Sequence, residues 1–508
     1  MLYLSTRGKT EMVSSAHAIT GGLATDGGLY IPQEYPALSK AEIGAMGNCD
    51  YKKRAMTVLS KFLTDFTDAE LQDCIDKAYD TTKFGGFPAP LHALTNDIDI
   101  LELWHGPTSA FKDMALQILP SLLTKSIVKT GEQKKVIILV ATSGDTGKAA
   151  LAGFADVPGT EIIVFYPQNG VSPMQKKQMI TQQGTNVHVL AVKGNFDDAQ
   201  KGVKEILGDK VLSEQLAEEG CSLSSANSIN WGRLVPQIVY YFSAYADAIK
   251  SGRIKMGDAI NFSVPTGNFG DIFAGYIAML MGLPVNKFIC ASNSNNVLTD
   301  FINTGTYNKK REFHKTISPS MDILVSSNLE RLLYEVTGHD TVQVGKWMEE
   351  LQTKGCYNVG KVVQDRILNS FFGTWVDEIE TTETIGNVFT NYKYLLDPHT
   401  AVAYRALEKY RLLTSDNTYS IVLSTASPFK FSKVVLSALE PDEDFTRLDD
   451  FQILDKLSSL SGKPIPANLA GLKDAPVLHL NVIAKEDMEK QVKSELRLPV
   501  EAEVKDGK

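Results

Sequence analysis

Lys112 is the residue around which chemistry is expected. It ends the run Leu103-Trp104-His105-Gly106-Pro107-Thr108-Ser109-Ala110-Phe111-Lys112, a polar and conformationally restricted stretch between apolar segments. Phe111 precedes it, and Met114 and Ala115 follow just beyond Asp113. Burial disfavours an ammonium because the charged form loses hydration. A neutral amine can attack a carbonyl and hold it as a Schiff base. The same residue also reads as a structural lysine, its stem laid over apolar neighbours.

Three further segments bear on that choice. Ala141-Thr142-Ser143-Gly144-Asp145-Thr146-Gly147 follows a continuous apolar strand. The hydroxyls of Thr142, Ser143 and Thr146, with the N–H groups of a helix start, can bind a carboxylate or phosphate. A capped turn is the alternative, and Asp145 suits an anion site only if paired or turned away. Ser263-Val264-Pro265-Thr266-Gly267-Asn268-Phe269-Gly270-Asp271 also joins a strand to a helix. Gly267 and Gly270 permit a tight turn whose successive N–H groups point inward, as in a phosphate nest. It is neither GxGxxG nor GxxxxGK[ST], so a compact monophosphate fits better than a dinucleotide or a Walker-type nucleotide. Ser424-Thr425-Ala426-Ser427-Pro428 ends another strand. A neutral hydroxyl facing a pyridine nitrogen leaves that nitrogen largely unprotonated; a hydroxyl satisfied by adjacent backbone is the other reading.

The elements that must position these residues form an α/β pattern. Residues 1–95 read as an N-terminal domain of short strands around Gly21-Gly22 and Asp26-Gly27-Gly28-Leu29, followed by helices at Ala41–Met46, Tyr51–Leu63 and Asp68–Tyr79, the last with a Thr67/Glu70 capping box. Phe84-Gly85-Gly86-Phe87-Pro88-Ala89-Pro90 marks its end. From about residue 96 to 440, apolar strands (Lys135–Ala141, Glu161–Tyr166, Asn186–Val192, Ala259–Val264, Lys287–Ala291, Ser420–Ser424) alternate with helices. Those helices are expected over Asp113–Leu122, Gly147–Phe154, Pro173–Thr181, Asp197–Leu207, Pro236–Ile249, Ile272–Met281, Thr400–Leu412 and Phe431–Leu439. This alternation predicts parallel sheet covered on both faces. A smaller subdomain is expected over roughly 135–255. A charged helical region spans 305–358, with Thr341 a candidate cap for a helix over Val344–Gln352. Thr384–Tyr394 is ambiguous, and 441–508 is expected to pack on the core without a chemical constellation of its own.

At 508 residues the chain can bury more than one core. A formal charge of −9 without a basic block argues against nucleic acid. Five scattered cysteines without CxxC and eight histidines without HExxH support neither a disulfide scaffold nor a metal site. No apolar run reaches membrane length and the N-terminus carries no h-region, so the cytoplasm is the expected location.

Several motifs in one order resemble the pyridoxal-phosphate-dependent threonine synthase family, in its long form with an extended N-terminal domain. They run from Ser5-Thr6-Arg7-Gly8 and Asp26-Gly27-Gly28-Leu29 through His105-Gly106-Pro107-Thr108, Phe111-Lys112-Asp113 and Ser143-Gly144-Asp145-Thr146-Gly147. Tyr166-Pro167, Gln175, Asn227-Ser228-Ile229-Asn230-Trp231-Gly232-Arg233, Gly267-Asn268-Phe269-Gly270-Asp271, Asp397-Pro398-His399-Thr400 and Ser424-Thr425 continue the series. Ser109 and Ser427 depart from the family pattern, where an aliphatic residue and a histidine are common.

The resemblance implies a tryptophan-synthase-β-like fold of type II, with two parallel-sheet subdomains plus the N-terminal domain. It implies that Lys112 forms the Schiff base with pyridoxal 5'-phosphate and that Phe111 lies against the ring. Gly267, Asn268, Phe269, Gly270 and Asp271 would hold the cofactor's phosphate, with Thr425 at the ring nitrogen. Thr142, Ser143, Asp145 and Thr146 would surround the substrate's amino-acid end. Asn227, Ser228 and Arg233 would bind or support the substrate, Arg233 having a structural ion pair as its alternative role. The implied lyase reaction converts O-phospho-L-homoserine and water to L-threonine and phosphate, by a monomer or a homodimer. The enzymatic alternative is a phospho-lyase or dehydratase releasing 2-oxobutanoate.

Overall fold

Residues 1–132 and 134–497 are described by the computed structural model, in which the chain packs as two compact units. The first comprises Met1–Glu132 and Asn227–Lys473; the second comprises the chain between them together with the segment after Lys473.

The first unit is built on a six-stranded sheet. Its order is Phe371–Trp375, Val285–Ser292, Ile260–Pro265, Ser420–Ser424, Ile98–Glu102 and Leu91–Ala93. Every pairing is parallel except that of the edge strand Leu91–Ala93. The strands Ile260–Pro265 and Ser420–Ser424 are buried at every residue, the condition of parallel strands covered on both faces. The helix Trp231–Lys250 carries Tyr240 and Tyr241 into this core. It begins five residues before Pro236, because Asn230 accepts a hydrogen bond from the Gly232 N–H (2.8 Å) and caps it there.

The second unit is a five-stranded parallel sheet in the order Val482–Ala484, Val187–Lys193, Thr160–Pro167, Lys135–Ala141 and Cys221–Ser225. Its core packs Ile137, Leu139, Ile163 and Phe165 with Met488 and Val492 of the helix Met488–Glu495. The late segment thus supplies both an edge strand and a core helix to this sheet.

Local sequence explains where elements depart from the expected spans. The expected helix over Asp113–Leu122 is two, Asp113–Leu116 and Leu119–Thr130. Pro120 sits in the first turn of the second, where its missing N–H costs nothing and its fixed φ favours a helix start. Asp340, not Thr341, caps Thr341–Thr353, its side chain accepting the Gln343 N–H. The ambiguous stretch is helical over Glu378–Tyr392. Its threonines disfavour a helix by propensity, yet Thr381, Thr382 and Thr384 each donate to a carbonyl four residues back. The Thr67/Glu70 capping box is present. Among the described residues no helix is long and apolar enough to cross a membrane.

Within the first unit, the N-terminal helix Tyr51–Phe62 is tied to the helix Trp231–Lys250 through a buried charge. Arg54 is 2% exposed and donates to Asp247 at 2.6 and 2.8 Å, to Ser243, and to the carbonyls of Met46 and Cys49. Removing Arg54 leaves the partly buried Asp247 unmatched and takes the donor from Ser243 and the Met46 carbonyl. Arg54→Met is expected to lower the free energy of unfolding by about 3 kcal/mol. A urea titration checks this, and an unshifted midpoint contradicts it.

Candidate active site

Three neighbouring parallel strands of the first unit, Ile260–Pro265, Ser420–Ser424 and Ile98–Glu102, necessarily end on one edge of the sheet. Ligands of open α/β sheets collect beyond carboxyl ends. The segments leaving those ends carry Gly267–Asp271, Thr425 and Lys112.

The Lys112 segment and the Thr425 segment extend the strand pairing beyond the sheet. The Leu103 N–H donates to the Ser424 carbonyl (3.0 Å), and the Phe111 N–H to the Thr425 carbonyl (2.8 Å). The Ser427 N–H donates to the Ser109 carbonyl at 3.0 Å. Lys112 is half-buried at the N-terminus of the helix Asp113–Leu116, with its Nζ 4.6 Å from the centre of the Phe111 ring. Asp113 is fully buried and accepts from the Thr108 N–H and hydroxyl, both at 2.8 Å. Burial pushes its carboxyl up to about 6 against those hydrogen bonds and the nearby Lys430. A side chain at Gly106 would strike Asp113.

The Gly267–Asp271 loop turns from the strand into the helix Gly270–Leu280 through Phe269, whose φ of 62° is left-handed. A Cβ on Gly267 would lie 2.9 Å from the Ser320 carbonyl oxygen. Ser320 is itself placed by His399: the imidazole accepts the Ser320 N–H at Nε2 (3.1 Å) and meets Asp397 at Nδ1 (2.8 Å), which assigns the Nδ1–H tautomer. The Asp271 Oδ1 accepts from the hydroxyls of Tyr240 (2.6 Å) and Tyr241 (2.8 Å). Its Oδ2 is buried without a hydrogen-bond partner among the described residues. Burial pushes the Asp271 carboxyl up to about 6, and the charge of Lys112 acts in the opposite direction. The lysine and the loop are therefore within electrostatic reach of each other. Helix-start N–H groups, a glycine no side chain can replace and a lysine at the same sheet edge fit a phosphorylated aldehyde cofactor.

Ser326 and Asn328 escaped the sequence reading. The Ser326 hydroxyl donates to the Gly267 carbonyl (2.7 Å), and Asn328 donates to the Asn268 carbonyl from its backbone N–H and its Nδ2 (both 3.0 Å). Asn328 Nδ2 also reaches the Ser228 hydroxyl at 3.2 Å, bringing one expected substrate residue beside the loop. Their only signal was the polar run Ser326-Ser327-Asn328 before the helix Leu329–Val336. The motifs at the chain start brace the same region. Thr6 and Arg7 donate to Glu330 (2.7 and 3.0 Å), while Asp26 holds the Gly28 N–H and the Ser5 hydroxyl in a turn. Arg233 is 3% exposed, and burial lowers its guanidinium to about 10. Asn227 is half-buried, its carbonyl accepting the Asn230 N–H at 3.2 Å.

In the second unit, Thr142 Oγ1 accepts the N–H groups of Gly144 (2.9 Å) and Gly147 (2.8 Å), folding the turn onto the helix Asp145–Phe154. Gln175 donates to Asp145 Oδ1 at 2.9 Å. Asp145 is thus paired, the condition under which an anion site at this turn was expected to tolerate it. Ser143 and Thr146 are half-buried beside it.

Three family models match the chain: "Threonine synthase N terminus" over residues 2–79, "Pyridoxal-phosphate dependent enzyme" over 87–360, and "Threonine synthase, C-terminal" over 400–493. Threonine synthase from Pseudomonas aeruginosa is 40% identical over 439 residues, covering 86% of this chain and 90% of that one. Human threonine synthase-like 1 is 39% identical over 84% of this chain, which spans only 58% of that relative's length. The crystal structure of PLP-bound threonine synthase from Brucella melitensis superposes with a TM-score of 0.85 at 36% identity, over 98% of this chain and 99% of that one. Pyridoxal phosphate is accordingly the cofactor, and the chain belongs to the threonine synthase family of fold-type II enzymes.

Proposed function

We propose that this chain catalyses the last step of threonine biosynthesis in the cytoplasm, converting O-phospho-L-homoserine and water to L-threonine and orthophosphate. The observation that carries this reading is the arrival of Lys112, Thr425 and the Gly267–Asp271 loop at the ends of three adjacent strands. Family membership supports the substrate.

The cofactor, when bound, supplies an electron sink for the substrate's carbon skeleton. Lys112 would hold it through its amine, and Gly267–Asp271 would bind its phosphate at the helix start. Thr425 would offer the ring nitrogen a neutral hydroxyl, so that no carboxylate favours protonation there. Once substrate displaces it, the Lys112 amine would take the α-proton and return it at the end. Between those events a Cβ proton would be removed, the γ-phosphate would leave with its bonding electrons, Cγ would gain a proton, and water would add at Cβ, its second proton going to the released phosphate. Thr142, Ser143 and Thr146 would take the substrate's carboxylate with hydroxyls and N–H groups, as Gln175 keeps Asp145 engaged. Asn227, Ser228 and Arg233 would serve the remaining polar groups, Arg233 suiting a phosphate through its planar fork.

Incubating the cofactor-loaded protein with O-phospho-L-homoserine should give threonine and phosphate in equal amounts. Oxoacid and ammonia as main products would defeat the proposal. Lys112→Ala should abolish turnover and the visible absorption of lysine-bound cofactor; a mutant still trapped by borohydride at a lysine rules out Lys112. Thr425→Asp should shift the cofactor's spectrum and its pH dependence, and an unchanged spectrum counts against the ring contact.

Asp271 gives a pH prediction for the cofactor-free protein. Its folded pKa lies near 6, above the ordinary 3.8. Its contribution to stability is therefore complete below about pH 4 and lost as pH rises through about 6. Asp271→Asn keeps an acceptor for Tyr240 and Tyr241 but has no charge to bury. Relative to the native protein it should gain about 2 kcal/mol between pH 4 and pH 8. Parallel denaturation profiles at the two pH values would show that the carboxylate is not destabilised.

A further inference from the structure

A backbone turn can offer successive N–H groups to one anion only if its carbonyls point elsewhere and find donors there. In the Gly267–Phe269 stretch the structure supplies those donors. The Gly267 carbonyl accepts from Ser326 Oγ at 2.7 Å. The Asn268 carbonyl accepts twice from Asn328, through the backbone N–H and Nδ2, each at 3.0 Å. The Phe269 carbonyl is taken up by the Phe273 N–H (3.1 Å) inside the helix. Two of the three consecutive carbonyls are thus held by residues about sixty positions away.

We propose that Ser326 and Asn328 are positioning residues for the phosphate cradle, fixing the Gly267 and Asn268 carbonyls outward so that the loop's N–H groups converge on the cofactor's phosphate. This rests on the functional reading above and extends it to residues outside the Gly267–Asp271 loop. The amide of Asn328 cannot turn over without loss. Arg331 donates to its Oδ1, and that guanidinium, 0% exposed, is fixed by further bonds to the carbonyls of Tyr30 (3.0 Å) and Ile229 (2.6 Å). With Oδ1 engaged by a cation, Nδ2 is left facing Asn268 and Ser228. Gly270 completes the fit, since a Cβ there would come within 3.3 Å of Asn328 Nδ2. Glu330, two residues beyond Asn328, receives Thr6 and Arg7, so the far side of this segment is anchored as well.

Ser326→Ala removes one donor without adding bulk. Asn328→Asp keeps the shape and the Arg331 contact but sets an acceptor against the Asn268 carbonyl and a negative charge beside the cradle. The test compares equilibrium affinity for pyridoxal 5'-phosphate with that for pyridoxal, which shares ring and aldehyde but lacks the phosphate. Binding to cofactor-free protein is read from visible absorption. Ser326→Ala should weaken the phosphorylated ligand about tenfold and Asn328→Asp about a hundredfold, with pyridoxal affinity unchanged in both. Equal loss for the two ligands, or no loss for either, overturns the positioning role. If Asn328→Asp does not fold, Ser326→Ala decides alone. Native protein that binds neither ligand at Lys112 would sink the functional reading itself, a result separable from variants that merely keep the native affinity ratio.

Discussion

Parallel register between two strands is the constraint from which the site follows. Ser424 pairs with Glu102, and Ser420 with Ile98. Because the pairing continues as Leu103 to Ser424 and Phe111 to Thr425, the loop before Lys112 is fastened to a neighbouring strand end and not only to itself. A slip of one residue would turn every side chain of Ser420–Ser424 to the opposite face. Such a slip would also carry the Thr425 carbonyl away from the Phe111 N–H. Hydrophobic burial on both faces of these strands therefore fixes, as a by-product, where the amine stands.

The second support comes from charge buried where it can be matched. Arg331 is fully buried and spends its donors on Asn328, Tyr30 and Ile229, while Glu330 takes Thr6 and Arg7. Such groups are poor sources of net stability, since desolvation offsets most of their attraction. Their directional demands are another matter, for each nitrogen specifies one acceptor. That accounts for the chain's opening motif, Ser5-Thr6-Arg7-Gly8, lying so far in sequence from the residues it secures. The 305–358 region enters the same network, its segment 319–331 bordering the Gly267–Asp271 loop through Ser320, Ser326 and Asn328.

The placement of the candidate segments at one sheet edge was legible because its signals are local. A lysine after a Gly-Pro turn, and glycines between a strand and a helix, mark loops that leave strand ends. Ser326 and Asn328 were illegible for the converse reason. Serine and asparagine in a polar run look like a solvated turn, and only the folded chain shows that their donors meet carbonyls at Gly267 and Asn268. The helix over Glu378–Tyr392 was hidden by β-branched threonines whose hydroxyl bonds to the preceding turn do not appear in a propensity scale. Pro120 did announce a helix start, yet the apolar spacing across Asp113–Leu122 concealed the break before it.

The turn carrying Lys112 is strained as well as fastened. Ser109 adopts a φ of 57°, a left-handed conformation that costs a non-glycine residue roughly 1 kcal/mol or more. Such a conformation persists only when its surroundings leave no alternative, and here they close on it from two sides. Asn468 accepts the Ser109 hydroxyl at 3.0 Å and donates to the Pro107 carbonyl at 2.7 Å. On the other side Thr108 is gripped at both ends, its N–H and hydroxyl by Asp113 and its carbonyl by the Lys430 ammonium at 3.0 Å. Glycine at 109 would relieve the strain but would also free the turn in the unfolded and folded states alike. A serine held by its own hydroxyl keeps the conformation and removes that freedom. The cost of the left-handed residue is thus offset by contacts from Asn468, Asp113 and Lys430, and the amine three residues later inherits a fixed origin.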